Sequence, residues 1–192
     1  SILWKTDRPV ANSWSTPVIV PAESGPVLVT CGNPWVIGYD PDSGRERWRV
    51  NAFGAGDVVP MAVPAAGFVI AATAGSRAVA IRTGLTGDIT ATGIAWTADE
   101  GLPSVASPVS DGKRVLFCDE GVLTCYDAEH GSLLWTAEAG GSFWASPVRA
   151  GDAVYLFDLP GTNFVVHMGD TFNLVASSKV PGQVSATPAF SR

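Results

Sequence analysis

The sequence predicts an all-β fold, a β-propeller of four-stranded antiparallel blades, and three observations carry that expectation. The stretches "CGNPWVIGYDPDSGRERW" from Cys31 and "CDEGVLTCYDAEHGSLLW" from Cys118 superimpose without a gap, so that Cys31, Tyr39, Asp40, Gly44 and Trp48 meet Cys118, Tyr126, Asp127, Gly131 and Trp135 at one offset. A shared offset through such uncommon residues marks an internal repeat. A small-residue and proline signature recurs as "WSTPVIV", "VASPVS", "WASPVR" and "SATPAF", with Pro17, Pro108, Pro147 and Pro188 marking a period of about 40 residues. Between these marks run short segments rich in Val, Ile, Leu, Phe and Tyr, separated by turn residues, and none sustains a 3.6-residue apolar period.

The units follow in order. "SILW" at Ser1 matches "SLLW" at Ser132, which places residues 1–10 as the last strand of a preceding blade. Whole blades are expected over 14–51, 58–99, 104–139 and 143–181, and residues 184–192 as the first strand of a following one. The third unit shows the meander best: "ASPVS", "RVLFC", "VLTCYD" and "LLWTAEA" are joined by the turns "DGK", "DEG" and "AEHG". The second lacks the matching proline and carries an enlarged turn, "RTGLTGDITATG", expected to be a long hairpin loop; the fourth, "HMGDTFNLVASS", has lost its Trp. Four complete blades with partial ones at both ends suggest a piece of a seven- or eight-bladed ring. A four-stranded sheet cannot cover both its faces, and radial stacking buries each against a neighbour.

Bulk composition narrows the function classes. With 192 residues and 46% hydrophobic content the chain can bury a core. A net charge of −6 and a pI near 4.7 argue against nucleic acid. Arg45, Arg47 and Arg49 cluster, but their alternation suits a charged outer edge strand. No apolar run approaches the ~18 residues of a spanning helix, so no direct membrane insertion is expected. Cys118 and Cys125 fall diagonally on neighbouring strands, and buried free thiols are expected for all three cysteines.

The spacing Asp-x₃-Gly-x₃-Trp occurs as Asp40, Gly44, Trp48 and as Asp127, Gly131, Trp135. Asp closes the turn, Gly permits a positive φ or a close approach, and Trp offers a flat surface with one N–H donor for the neighbouring blade. The motif resembles the tryptophan-docking repeat of the pyrroloquinoline-quinone (PQQ) type propellers, with Trp4 and Trp96 as the docking residues of two further blades. That resemblance implies eight-bladed rings. It also implies one of two functions: dehydrogenases holding PQQ and calcium in the channel, or cofactor-free propellers such as those of outer-membrane protein assembly.

The dehydrogenase pattern of adjacent cysteines is missing, the acidic residues fall in turns, and His130 and His167 have no metal-ligand spacing. No catalytic set is found, so the expectation is a non-catalytic protein-interaction or scaffolding module without cofactor. The resemblance implies an extracytoplasmic or periplasmic site of action; the alternative is a fragment of a PQQ- and calcium-dependent dehydrogenase. Loops before first strands, and between second and third strands, share one rim. This gathers Trp35, Asn33, Trp14, Trp144, Asp119 and Glu120 as a candidate surface for a protein partner. Trp35, which replaces Val122 of the other repeat, is the stronger candidate, because Trp14 and Trp144 could instead plug gaps between blades. Open terminal faces predict self-association of the chain.

Overall fold

The computed structural model describes residues 1–10, 13–54 and 56–190. Four antiparallel meanders follow one another. Blade 1 comprises β1 (Val18–Val20), β2 (Val27–Cys31), β3 (Trp35–Tyr39) and β4 (Glu46–Asn51); blade 2 comprises β5 (Val63–Ala65), β6 (Phe68–Ala72), β7 (Ala78–Arg82) and β9 (Ile94–Ala98). Blade 3 holds β10 (Val109–Ser110), β11 (Arg114–Asp119), β12 (Val122–Asp127) and β13 (Leu133–Glu138); blade 4 holds β14 (Val148–Ala150), β15 (Ala153–Phe157), β16 (Thr162–His167) and β17 (Leu174–Lys179). The first strands β1, β5, β10 and β14 lie side by side, which sets the blades around one axis.

Both parities of each inner strand are apolar because each blade meets a different neighbour on each face. Val27, Val29, Val36 and Trp48 pack on Val69, Ala71, Val79 and Ile81 between blades 1 and 2. Ile70, Ala78 and Ala80 of blade 2 meet Val115, Phe117 and Tyr126 of blade 3 through the opposite parity. Leu116, Leu123 and Trp135 meet Val154, Leu156 and Phe164 at the last junction. Each buried aliphatic or aromatic side chain contributes on the order of 1.5–3 kcal/mol. Most of the stability therefore resides between blades.

Two expectations are corrected. The enlarged turn of blade 2 is not just a hairpin loop: its residues Gly87–Asp88 form β8, which pairs in parallel with β4 of blade 1 as a fifth strand. The outer edge of β4 has free N–H and C=O groups, and the insertion is long enough to reach them. The second correction concerns residues 1–10 and 184–190, which form no strand. A strand exists through its ladder, and neither segment has a sheet of its own to join. Both are fixed by side-chain bonds instead, as with Thr6 Oγ1 donating to Gly44 O at 2.7 Å and Ser146 N donating to Thr187 Oγ1 at 3.1 Å.

Candidate functional site

The Asp-Gly-Trp residues sit at the blade junctions. The Trp4 ring lies against Gly44, where a Cβ would overlap it, and its Nε1 donates to Pro41 O at 2.9 Å. Trp96 crosses from blade 2 to blade 3 in the same way. A Cβ on Gly131 would fall 2.5 Å from the Trp96 ring, and Nε1 donates to Ala128 O at 3.0 Å. Trp135 reaches blade 4, with Nε1 2.9 Å from Gly169 O and its ring 5.4 Å from that of Phe172. Both turn glycines have positive φ, +70° and +71°, which a side chain would strain further.

Trp48 departs from the expected geometry. It is fully buried against Gly38 of its own sheet, and its Nε1 has no hydrogen-bond partner. The turn it would have met is the insertion that runs off as β8. Ile89 fills the junction from that insertion, its N–H donating to Arg49 O at 2.9 Å, while Asn51 N donates to Thr90 Oγ1 at 3.0 Å. In blade 4, Ala176 stands opposite Val165 as Trp135 stands opposite Cys125, which locates the lost Trp.

Asp40 and Asp127 close their turns. Asp40 accepts from Ser43 N and Oγ and from Arg47 at 2.5 Å; Asp127 accepts from the backbone N–H groups of Glu129 and His130. The Arg47 hydrogen bond, followed by those of Ser43, holds the Asp40 carboxyl well below the usual carboxylate range. For Asp127 burial works the other way, but the bonds from His130 prevail and its pKa is also lowered.

A second linkage was hidden in the proline signature. Ser107 N donates to Ser146 Oγ at 2.9 Å and Met61 N to Ser107 Oγ at 3.1 Å, continuing the rung that Ser146 makes to Thr187. The Ser or Thr before Pro108, Pro147 and Pro188 thus accepts from the equivalent backbone N–H of the blade before it. The recurrence of Ser-Pro and Thr-Pro in the sequence is the signal for this linkage. Blade 2 has Met61 at this position, so it offers Thr16 of blade 1 no hydroxyl.

At the rim, Trp14 is 67% exposed and Trp144 52%. Neither plugs a gap. Phe143 does that instead, buried edge-on to Phe164 at 6.2 Å. Trp35, the stronger sequence candidate, is only half-exposed, with the Arg49 guanidinium 5.4 Å from its ring centroid and Arg49 in turn bonded to Glu46. Asn33 Nδ2 donates to Gly56 O at 3.0 Å, and the Asp119 carboxylate accepts from Ser104 N and Oγ. Glu120 is exposed in a tight turn with φ of +40°, followed by Gly121 at +84°.

Cys31, Cys118 and Cys125 are free thiols within the blade cores, and burial pushes each up to about 12. Among the described residues no group of three or more His, Cys, Asp or Glu is placed to hold a metal ion. Scattered turn carboxylates and lone buried cysteines do not fit a PQQ and calcium site. Among the described residues no helix is long and apolar enough to cross a membrane.

Sheets of four strands stacked about an axis with indoles at the junctions define a β-propeller. A family model described as outer membrane protein assembly factor BamB matches residues 1–110 and 88–182, and the chain belongs to that family. Among solved structures the fold is similar to BamB from Moraxella catarrhalis, at 18% identity and a TM-score of 0.63, over 88% of this chain and 50% of that one. The chain therefore spans half the length of that relative. Comparison with curated proteins gives no match.

Proposed function

We propose that this chain is a non-catalytic propeller module that binds a protein partner outside the cytoplasm, in the manner its family description suggests for outer-membrane protein assembly. The observation that carries the reading is the rim, where Trp14 and Trp144, at equivalent positions before β1 and β14, present large aromatic surfaces to solvent. Such surfaces are characteristic of interaction hot spots. The scaffold suits the role: stacked blades hold the rim loops rigid, and among the described residues no side-chain set for catalysis accompanies them. The reading needs no cofactor.

The test is capture of a discrete partner from a bacterial envelope extract by the immobilised protein. Replacing Trp14, Trp144 and Trp35 together by Ala should abolish capture while the melting temperature stays within a few degrees; undiminished capture would overturn the reading. Dye-coupled oxidation of an alcohol or sugar on adding PQQ and calcium would overturn it as well. For the chain alone, we propose self-association of copies through the outer side of blade 4, where Leu174, Val175 and Phe190 are exposed. A monomeric mass by light scattering at high concentration would refute that.

A further inference from the structure

The rim loops of blade 3 gather carboxylates without cations. Three segments meet there: "DEGLPSVAS" before β10, "DEGV" between β11 and β12, and "EAGGSFWAS" after β13. They hold Asp99, Glu100, Asp119, Glu120 and Glu138, and no Lys, Arg or His. Asp119 is occupied by Ser104, but Asp99, Glu100, Glu120 and Glu138 are exposed and have no ion pair among the described residues. The opposite rim of the same blade balances its charges, with Arg114 between Asp111 at 2.9 Å and Asp170 at 2.6 Å.

The same three segments also expose apolar side chains. Val105, Val122 and Trp144 are 38%, 37% and 52% exposed, and Val122 pairs with Glu138 across the β12–β13 ladder. The platform is fixed by its own bonds. Ala139 N donates to Gly121 O at 2.7 Å, the Tyr126 hydroxyl donates to Glu100 O at 2.9 Å, and a Cβ on Gly121 would fall 2.7 Å from Gly140 O. Carboxylates left together without cations repel one another, and a rigid platform cannot spread them. They are too dispersed for one metal ion. Several cations spaced along a chain, with apolar groups between them, match both features of the surface.

We infer that the blade 3 rim docks an extended segment of a partner protein in which Lys or Arg side chains flank apolar ones. The apolar residues cover Val105, Val122 and Trp144 while the cations meet Glu100, Glu120 and Glu138. This rests on the interaction-module reading and narrows it to one stretch of rim and one partner chemistry.

The test uses a fluorescein-labelled peptide of alternating Lys and Leu, with Glu–Leu and Lys–Ser peptides as controls, followed by anisotropy. The Lys–Leu peptide should bind, about tenfold more weakly when salt is raised from roughly 20 to 200 mM, and both controls should bind at least about tenfold more weakly. The double variant Glu120→Lys, Glu138→Lys and the single variant Trp144→Ala should each lose about tenfold. Charge reversal at Asp42 and Asp152 on the other rim should change nothing. Equal binding of the Glu–Leu peptide, or full Lys–Leu binding by a folded Glu120→Lys, Glu138→Lys variant, overturns the inference. If Lys–Leu fails to bind while the triple Trp variant still abolishes capture of the natural partner, this inference falls and the broader reading stands.

Discussion

The junction between blades 1 and 2 and the junction between blades 3 and 4 perform the same task by different means. At the latter, Trp135 reaches across to Gly169 O and Ser107 N reaches Ser146 Oγ. At the former the next-blade turn is an insertion, Trp48 Nε1 bonds nothing, and Met61 supplies no hydroxyl. In their place β8 pairs with β4, and Ile89 enters the core. A propeller junction thus requires a buried apolar wedge plus directional bonds that fix the rotation of one sheet on the next. Indole and hydroxyl supply them at one junction and a strand with an isoleucine at the other.

The largest expected effect is at Ile89. Ile89→Ala should cost about 2–5 kcal/mol in urea unfolding, and hydrogen exchange should accelerate across β4 and β8 while blade 4 stays protected. Uniform acceleration would mean that the strap does not serve its own junction.

Glycine replacement comes next. Gly131→Ala meets both a positive φ and the Trp96 ring and should lose about 1–3 kcal/mol. Gly87→Ala, at φ +81° with nothing within 4 Å of the added Cβ, carries the backbone strain alone and should lose less. Equal losses would remove close packing from the account of the indole seats.

A smaller difference separates two identical substitutions. Trp135→Phe and Trp48→Phe remove similar ring volume, but only the first breaks a hydrogen bond. Its additional cost should be about 1 kcal/mol, read as the difference between two denaturation midpoints.

The smallest effect is the acid limb. The folded pKa of Asp40 lies below its unfolded value of about 4, so its contribution is complete above that pH and is lost as pH falls toward the folded value. Asp40→Asn should flatten the loss of thermal stability below pH 4, and an unchanged profile would assign the acid limb to other turns, including that of Asp127.

Much of the fold was legible because repetition exposes it. The five residue pairs from Cys31/Cys118 to Trp48/Trp135 mark the blade, and the four prolines mark its period. The diagonal placement of Cys118 and Cys125 is visible in the register of Cys118 opposite Leu123 and Leu116 opposite Cys125. The rim was legible as a set of loops, but not its ranking. Trp35 stood out by replacing Val122, yet Arg49 covers its face, and the guanidinium arrives from the adjacent strand. Phe143 and Trp144 are neighbours of similar composition, and only packing against Phe164 decides which of them turns inward. The run of carboxylates around blade 3 was written in three separate segments whose meeting is a property of the meander.

The sequence by itself determined the unit: four short strands, a turn glycine and an indole, because strand alternation and turn chemistry act over a few residues. The tertiary structure alone decided which blade edge the inserted turn would join, where Trp48 would rest and which aromatics would face water. Those outcomes depend on surfaces brought together from units about 40 residues apart, and no local pattern records what a side chain will meet across a junction.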